Sequence, residues 1–151
     1  MERTLILVKP DAMQRGLAGE ILSRLESRGL KIVALKLTLV SRATAEEHYA
    51  HHSDKSFFPG LISFITSTPV AAAVLEGSNA IQAVRQVAGQ TNPVDEAARP
   101  GSIRTDLGLD TGRNLIHASD SVETAETEIK RFFRDDEIIP WERATDAWIF
   151  E

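Results

Sequence analysis

The chain has 151 residues, of which 42% are hydrophobic and 26% charged, with only 9 Gly and 6 Pro. That composition excludes collagen-like, low-complexity and wholly disordered classes, and the length suits one domain, residues 1–151, with a proper core. No cysteine is present, so no disulfide, thiolate zinc site, iron–sulfur cluster or catalytic thiol is available. Seventeen Lys and Arg against 22 Asp and Glu give a formal charge of -5. This balance disfavours a nucleic-acid face and leaves room for a local cationic pocket suited to small anions.

Thr4 to Lys9 is apolar on both faces, the pattern of a strand inside a covered sheet. Its run Leu5-Ile6-Leu7-Val8 is too short for a signal segment or a membrane span, so a cytoplasmic protein without membrane contact is expected. Leu17, Ile21, Leu22 and Leu25 then recur at helical spacing, with Gly29 as the stop. Val33, Leu35, Leu37 and Leu39 alternate with Ala34, Lys36 and Thr38, predicting a half-buried strand. Thr44 to His52 reads as a polar helix, Phe58 to Thr66 as a short helix, Pro69 to Leu75 as an apolar strand and Asn79 to Val87 as a helix. Leu115 to His117 begins a last short strand, and Ser121 to Phe133 is a helix with Val122, Ala125, Ile129 and Phe132 inward. The order contains a βαββαβ core with inserted helices, which predicts an α+β, ferredoxin-like antiparallel sheet covered by helices.

Between these elements, Gly89 to Asn114 shows no periodicity, and long irregular connections are uncommon unless they carry function. The stretch is rich in residues that bind phosphate: Thr91, Asn92, Arg99, Ser102, Arg104, Arg113 and Asn114. A solvated surface loop is the plain alternative.

His117 follows at the junction of a short strand and a capped helix. Asp120 with Glu123, and Ser121 beside them, are N-cap signals, and the first helical turn offers free N–H groups and a positive dipole end to an anion. Glu128, three residues after Ala125, could reach back beneath the histidine. A carboxylate on one imidazole nitrogen fixes the tautomer and frees the other nitrogen as nucleophile; a core histidine and a solvated glutamate are the bland alternatives. There is no G-x-x-x-x-G-K-[ST] loop, no G-x-G-x-x-G fingerprint and no protein-kinase signature, so any nucleotide must be handled by side chains. Lys9 ends the first strand as either a snorkelling lysine or a site residue. His48, His51 and His52 fall at i, i+3 and i+4, but solvated surface histidines fit that spacing better than a metal site, and no protein-held metal is expected.

Five blocks, in order, carry a resemblance that spans essentially the whole chain: Lys9-Pro10-Asp11 with Gln14-Arg15-Gly16-Leu17; His48-Tyr49 with Phe57-Phe58-Pro59-Gly60-Leu61; Gly89-Gln90-Thr91-Asn92-Pro93; Pro100-Gly101-Ser102-Ile103-Arg104; and Gly112 to Ser121 around His117. The chain resembles the nucleoside diphosphate kinases. The resemblance implies that His117 accepts a γ-phosphoryl group from a nucleoside triphosphate through Nδ1 and passes it to a nucleoside diphosphate. It implies that Glu128 orients the ring with Ser119 as the neighbouring hydroxyl, and that Tyr49 lies near the transferred group. Arg85, Thr91 and Arg104 match residues that hold the β and γ phosphates, His52 one near the α phosphate, Lys9 and Asn114 the pair around the sugar 3′-hydroxyl, and Phe57 the ring on which the base stacks. Thr111 stands where the family commonly places an apolar residue on the other side of the base.

A stacking ring without base-edge partners accepts any base, and magnesium is expected to arrive bridging the nucleotide phosphates, since no carboxylate cluster suits it. Trp141, Trp148, Ile149 and Phe150 make an apolar tail, and in this family such an extended C-terminus accompanies a homohexamer. Two rivals remain at this level: a nucleotide-sensing module on the same fold, which would need no histidine, and a nucleic-acid-binding role, which the charge disfavours.

Overall fold

A computed structural model describes residues 1–151 and shows a four-stranded antiparallel sheet in the order β2-β3-β1-β4. The strands are β1 (Glu2–Val8), β2 (Lys31–Thr38), β3 (Val70–Gly77) and β4 (Ile116–Ala118). Helices α1 (Pro10–Gln14), α2 (Ala18–Ser27), α3 (Arg42–His48), α4 (Phe58–Ile65), α5 (Ala80–Ala88), α6 (Ile103–Leu107) and α7 (Val122–Phe132) cover it. The α+β ferredoxin-like arrangement expected from the element order is the one observed.

From Thr4 to Val8, β1 is buried on both faces, which explains its unbroken apolar run. Ile6 and Val8 pack with Ile21 and Leu25 of α2, Val84 of α5 and Ile103 of α6. Leu5 and Leu7 pack on the other side with Ile62 of α4 and Ile129 and Phe132 of α7. Helix α2 ends in a Schellman motif: Leu30 N–H donates to Leu25 O and Gly29 N–H to Glu26 O, with Gly29 at φ 102°, a conformation that glycine adopts without strain.

Four local expectations are corrected. The leucine face of β2 is not its buried face: Leu35, Leu37 and Leu39 are 52%, 65% and 69% exposed, whereas Val33 and Ala34 are both buried around a bulge between Ile32 and Ala34. Lys36, on the covered side, lies 4.6 Å from the centre of the Phe133 ring and pairs with Glu137. The Gly89 to Asn114 stretch holds α6, whose N-cap Ser102 accepts from Thr105 N–H. The helix expected from Thr44 to His52 stops at His48, and His51 and His52 sit on a separate 3-10 turn. Val122, expected inward on α7, is 43% exposed.

Candidate active site

The site is built where β4 meets the end of β1. His117 lies opposite Leu7, and its strand neighbours Ile116 and Ala118 are buried on the opposite face, so alternation turns the imidazole toward α7. Ser121 caps that helix by accepting from Thr124 N–H, which settles the choice among the capping signals. Two turns on, Glu128 is buried and its Oε2 lies 2.7 Å from His117 Nε2. An ionised carboxylate can only accept, so Nε2 carries the proton and Nδ1 keeps its lone pair. Burial alone would raise the Glu128 pKa; the hydrogen bond and charge of His117 and the Ser119 hydroxyl outweigh it and hold the carboxyl below its usual range. Ser119 is itself fixed, its Oγ accepting from Leu5 N–H at 3.2 Å.

The approach to His117 is tightly bent. Ile116 N–H donates to Asn114 O across Leu115, which takes φ 77°, a costly conformation for a leucine. Neighbours hold it there: Leu115 N–H donates to Asp11 Oδ2 at 3.0 Å and Leu115 O accepts from Lys9 N–H at 2.9 Å. Asp11 rides on α1, a helix of five residues and too short to show a period.

A second cluster adjoins this bend. Lys9 Nζ donates to Asn114 Oδ1 at 2.7 Å, and Asn114 Nδ2 donates to Thr91 O at 2.9 Å. Burial, with Arg104 and Arg113 nearby, lowers the Lys9 pKa to about 8. Arg104, also buried, donates to Asn114 O, Gly89 O and Ile116 O at 3.2, 3.0 and 2.6 Å. Its pKa falls to about 10 through burial and the nearby Arg85, so it remains a cation at neutral pH. Three of its N–H groups therefore brace the fold and two are free for a ligand. Arg85 and Thr91 are exposed and border a pocket of about 340 Å³ with Gly89, Arg99 and Ser102. Arg113 stacks 4.0 Å above the Phe64 ring, a contact with no signature in the sequence.

Phe57 and His52 stand apart from both clusters. Their rings contact each other at 5.2 Å, Phe57 is 53% exposed, and they join the rest through His52 N–H on Tyr49 O. Tyr49 is buried, which pushes its phenol pKa up, with its ring 6.4 Å from that of His117. Thr111 is exposed on a 3-10 turn capped by Asp110.

His48, expected as a solvated surface histidine, is instead buried, its ring 4.5 Å from that of His117 and packed edge-on against Tyr49 and Phe132. Burial, with His117 alongside, lowers its pKa to about 3. The His51 and His52 rings pack against each other at 4.0 Å on the 3-10 turn, whereas the His48 ring is buried. The signal that could have placed His48 was its position at the end of the α3 face that begins with Ala45, three residues earlier.

An imidazole of fixed tautomer beside buried cations, with no nucleotide-binding glycine loop, is an arrangement suited to phosphate chemistry carried by side chains. The nucleoside diphosphate kinase family model matches residues 2–138. A nucleoside diphosphate kinase of Archaeoglobus fulgidus is 57% identical over 151 residues, covering 100% of this chain and 99% of the relative. One from a Synechococcus strain is 54% identical over 100% of both chains. Among solved structures, a halophilic nucleoside diphosphate kinase from Halobacterium salinarum in complex with CDP superposes with a TM-score of 0.95 at 51% identity, covering 99% of each chain. A nucleoside diphosphate kinase family protein from Babesia bovis does so with a TM-score of 0.95 at 43% identity, covering 99% of this chain and 100% of that one. The chain belongs to the nucleoside diphosphate kinase family. It is a nucleotide-binding phosphotransferase, and no helix is long and apolar enough to cross a membrane.

Proposed function

We propose that the enzyme works by a ping-pong cycle through a phosphohistidine on His117, and the observation that carries this is the 2.7 Å contact of His117 Nε2 with Glu128 Oε2. The Nδ1 lone pair attacks the γ-phosphorus of a nucleoside triphosphate, an N–P bond forms as the P–O bond to the β-phosphate breaks, and the diphosphate leaves. The ring, now positive, keeps its Nε2 proton on Glu128. A terminal oxygen of a second diphosphate then takes the phosphoryl group by the reverse path and restores the lone pair. Tyr49 lies beside the transferred group and Ser119 steadies the Glu128 carboxylate. The free N–H groups of Arg104, with Arg85 and Thr91, meet phosphate oxygens, where cations stabilise the spreading charge.

Lys9 and Asn114, already paired, address the sugar 3′-hydroxyl, Phe57 stacks the base, and His52 lies near the α phosphate. A stacking ring with no edge-reading partner supports broad base specificity. Magnesium would be held by the nucleotide rather than by a protein cage and would neutralise phosphate charge, while the cluster of Lys9, Arg104 and Arg113 suits the anion itself.

Residues 1–151 act as one domain in the cytoplasm. The exposed Leu35 and Leu37 on edge strand β2, Leu39 just beyond it and the 89% exposed Trp148 support assembly, read as a homohexamer. Part of the tail already packs on its own chain, through Arg143 on Leu30 O and Gly29 O and through Trp141 Nε1 on Ile32 O. The test is exchange of the terminal phosphate between two nucleotides: the parent should exchange and His117→Ala should not. Exchange by His117→Ala at the parent rate refutes the reading. Light scattering tests the assembly, and a monomer contradicts it.

A further inference from the structure

Two imidazoles approach the same carboxylate oxygen. His117 Nε2 lies 2.7 Å from Glu128 Oε2, and His48 Nδ1 lies 3.4 Å from it. If both rings carried a proton on the facing nitrogen, Glu128 would serve both. Every hydrogen bond that a carboxylate accepts lowers its basicity, so a second donor would weaken its hold on the His117 ring at the moment that ring becomes positive.

Arg131, one turn beyond Glu128 on α7, prevents this. Its Nη1 lies 3.0 Å from His48 Nδ1, and its side chain is only 12% exposed. A guanidinium has donors and no acceptor, so His48 Nδ1 must be the acceptor and cannot donate to Glu128. The proton of His48 is thereby placed on Nε2, which is buried without a partner. Without the arginine, the favoured tautomer would move that stranded proton to Nδ1, where an acceptor waits.

The geometry points to Arg131 as a positioning residue that locks the tautomer of His48 and so reserves Glu128 for the nucleophile. The inference rests on the phosphohistidine cycle proposed above and extends it to a residue that acts through His48 rather than on the reacting atoms. The groups facing His48 are Glu128 and Arg131 from α7, His117 from β4, His51 from the 3-10 turn and Tyr49 beside it. Arg131 Nε also lies 3.5 Å from Oε1 of the largely exposed Glu47, too long for a hydrogen bond and a pairing of small worth.

Nitrogen-15 NMR of the histidine rings tests the premise on the parent enzyme: His48 should be protonated at Nε2 and His117 at Nε2, and in Arg131→Met the His48 proton should move to Nδ1. In a single turnover with a nucleoside triphosphate and magnesium, Arg131→Met should form phosphohistidine about tenfold more slowly, the scale of one contested hydrogen bond. Arg131→Lys keeps a donor and should lose far less. The double variant Arg131→Met, His48→Phe removes the competing ring N–H and should recover much of the lost rate, which general damage to packing would not allow.

A parent His48 protonated at Nδ1, an Arg131→Met enzyme as fast as the parent, or a double variant no faster than Arg131→Met overturns the inference. Where the parent forms phosphohistidine normally, such a result leaves the cycle standing; a parent that forms none on His117 overturns both.

Discussion

Removing the Glu128 carboxylate should slow phosphorylation of His117 without unfolding the protein. The contact is 2.7 Å long, and the side chains of Glu128 and His117 are 6% and 21% exposed, so water screens it poorly. A hydrogen bond to a charged group in such a place contributes about 1.5–3 kcal/mol. Its worth grows as the ring gains positive charge, so most of it acts on the barrier, and the loss corresponds to a rate roughly 10- to 150-fold lower. Glu128→Gln keeps the length and a carbonyl acceptor and belongs at the small end; Glu128→Ala belongs at the large end. Stability should fall only modestly, because the burial cost of the carboxylate, with Oε1 left without a partner, offsets much of what its hydrogen bond contributes. Rapid-quench measurement of phosphoenzyme formation, with urea unfolding of the same variants, separates the two effects. A Glu128→Ala enzyme phosphorylated within about threefold of the parent rate would refute the reasoning, since a loss that small is less than one neutral hydrogen bond.

Arg104→Gln should lower stability by about 3–5 kcal/mol in urea melts, because it unties Asn114, Gly89 and Ile116 carbonyls from one buried cation. Lys9, with its pKa lowered to about 8, is charged below that pH and neutral above it. Calorimetric affinity for a nucleoside diphosphate should therefore fall as pH rises through about 8, and Lys9→Arg should flatten that fall. His48 takes its proton only near pH 3 in the folded chain, against 6.5 for a free imidazole. The unfolded state thus binds more protons between those values, and stability should decline on acidification by up to about 1.4 kcal/mol per pH unit. His48→Phe should remove that contribution from acid-unfolding curves.

The parts of the site that were legible in the sequence are those written in local periodicity. Glu128 was placed by its helical distance from Ala125 and Ile129, and β1 by an apolar run that only a doubly covered strand needs. What stayed hidden depends on contacts distant in sequence. Helices α1 and α6 have five residues each, less than two turns, so no period could show. Asp11 gains its role only because Leu115, 104 residues away, must be held at a positive φ. The leucines of β2 look like a core face, yet register with β3 and the bulge before Ala34 turn them outward, where covering them falls to another surface. The spacing of His48, His51 and His52 reads as one helical set, but the break at Tyr49 sends the His48 ring inward while the other two pack together on the 3-10 turn.

The proposed cycle stands on one covalent intermediate. Intact mass of the chain after mixing with a nucleoside triphosphate and magnesium, repeated after acid treatment and on His117→Ala, measures it directly. The expected result is the mass of one phosphoryl group per chain, lost in acid, absent from His117→Ala and discharged by any nucleoside diphosphate. An unmodified parent that still exchanges phosphate between nucleotides, or a stable phosphoryl group retained in His117→Ala, would contradict it.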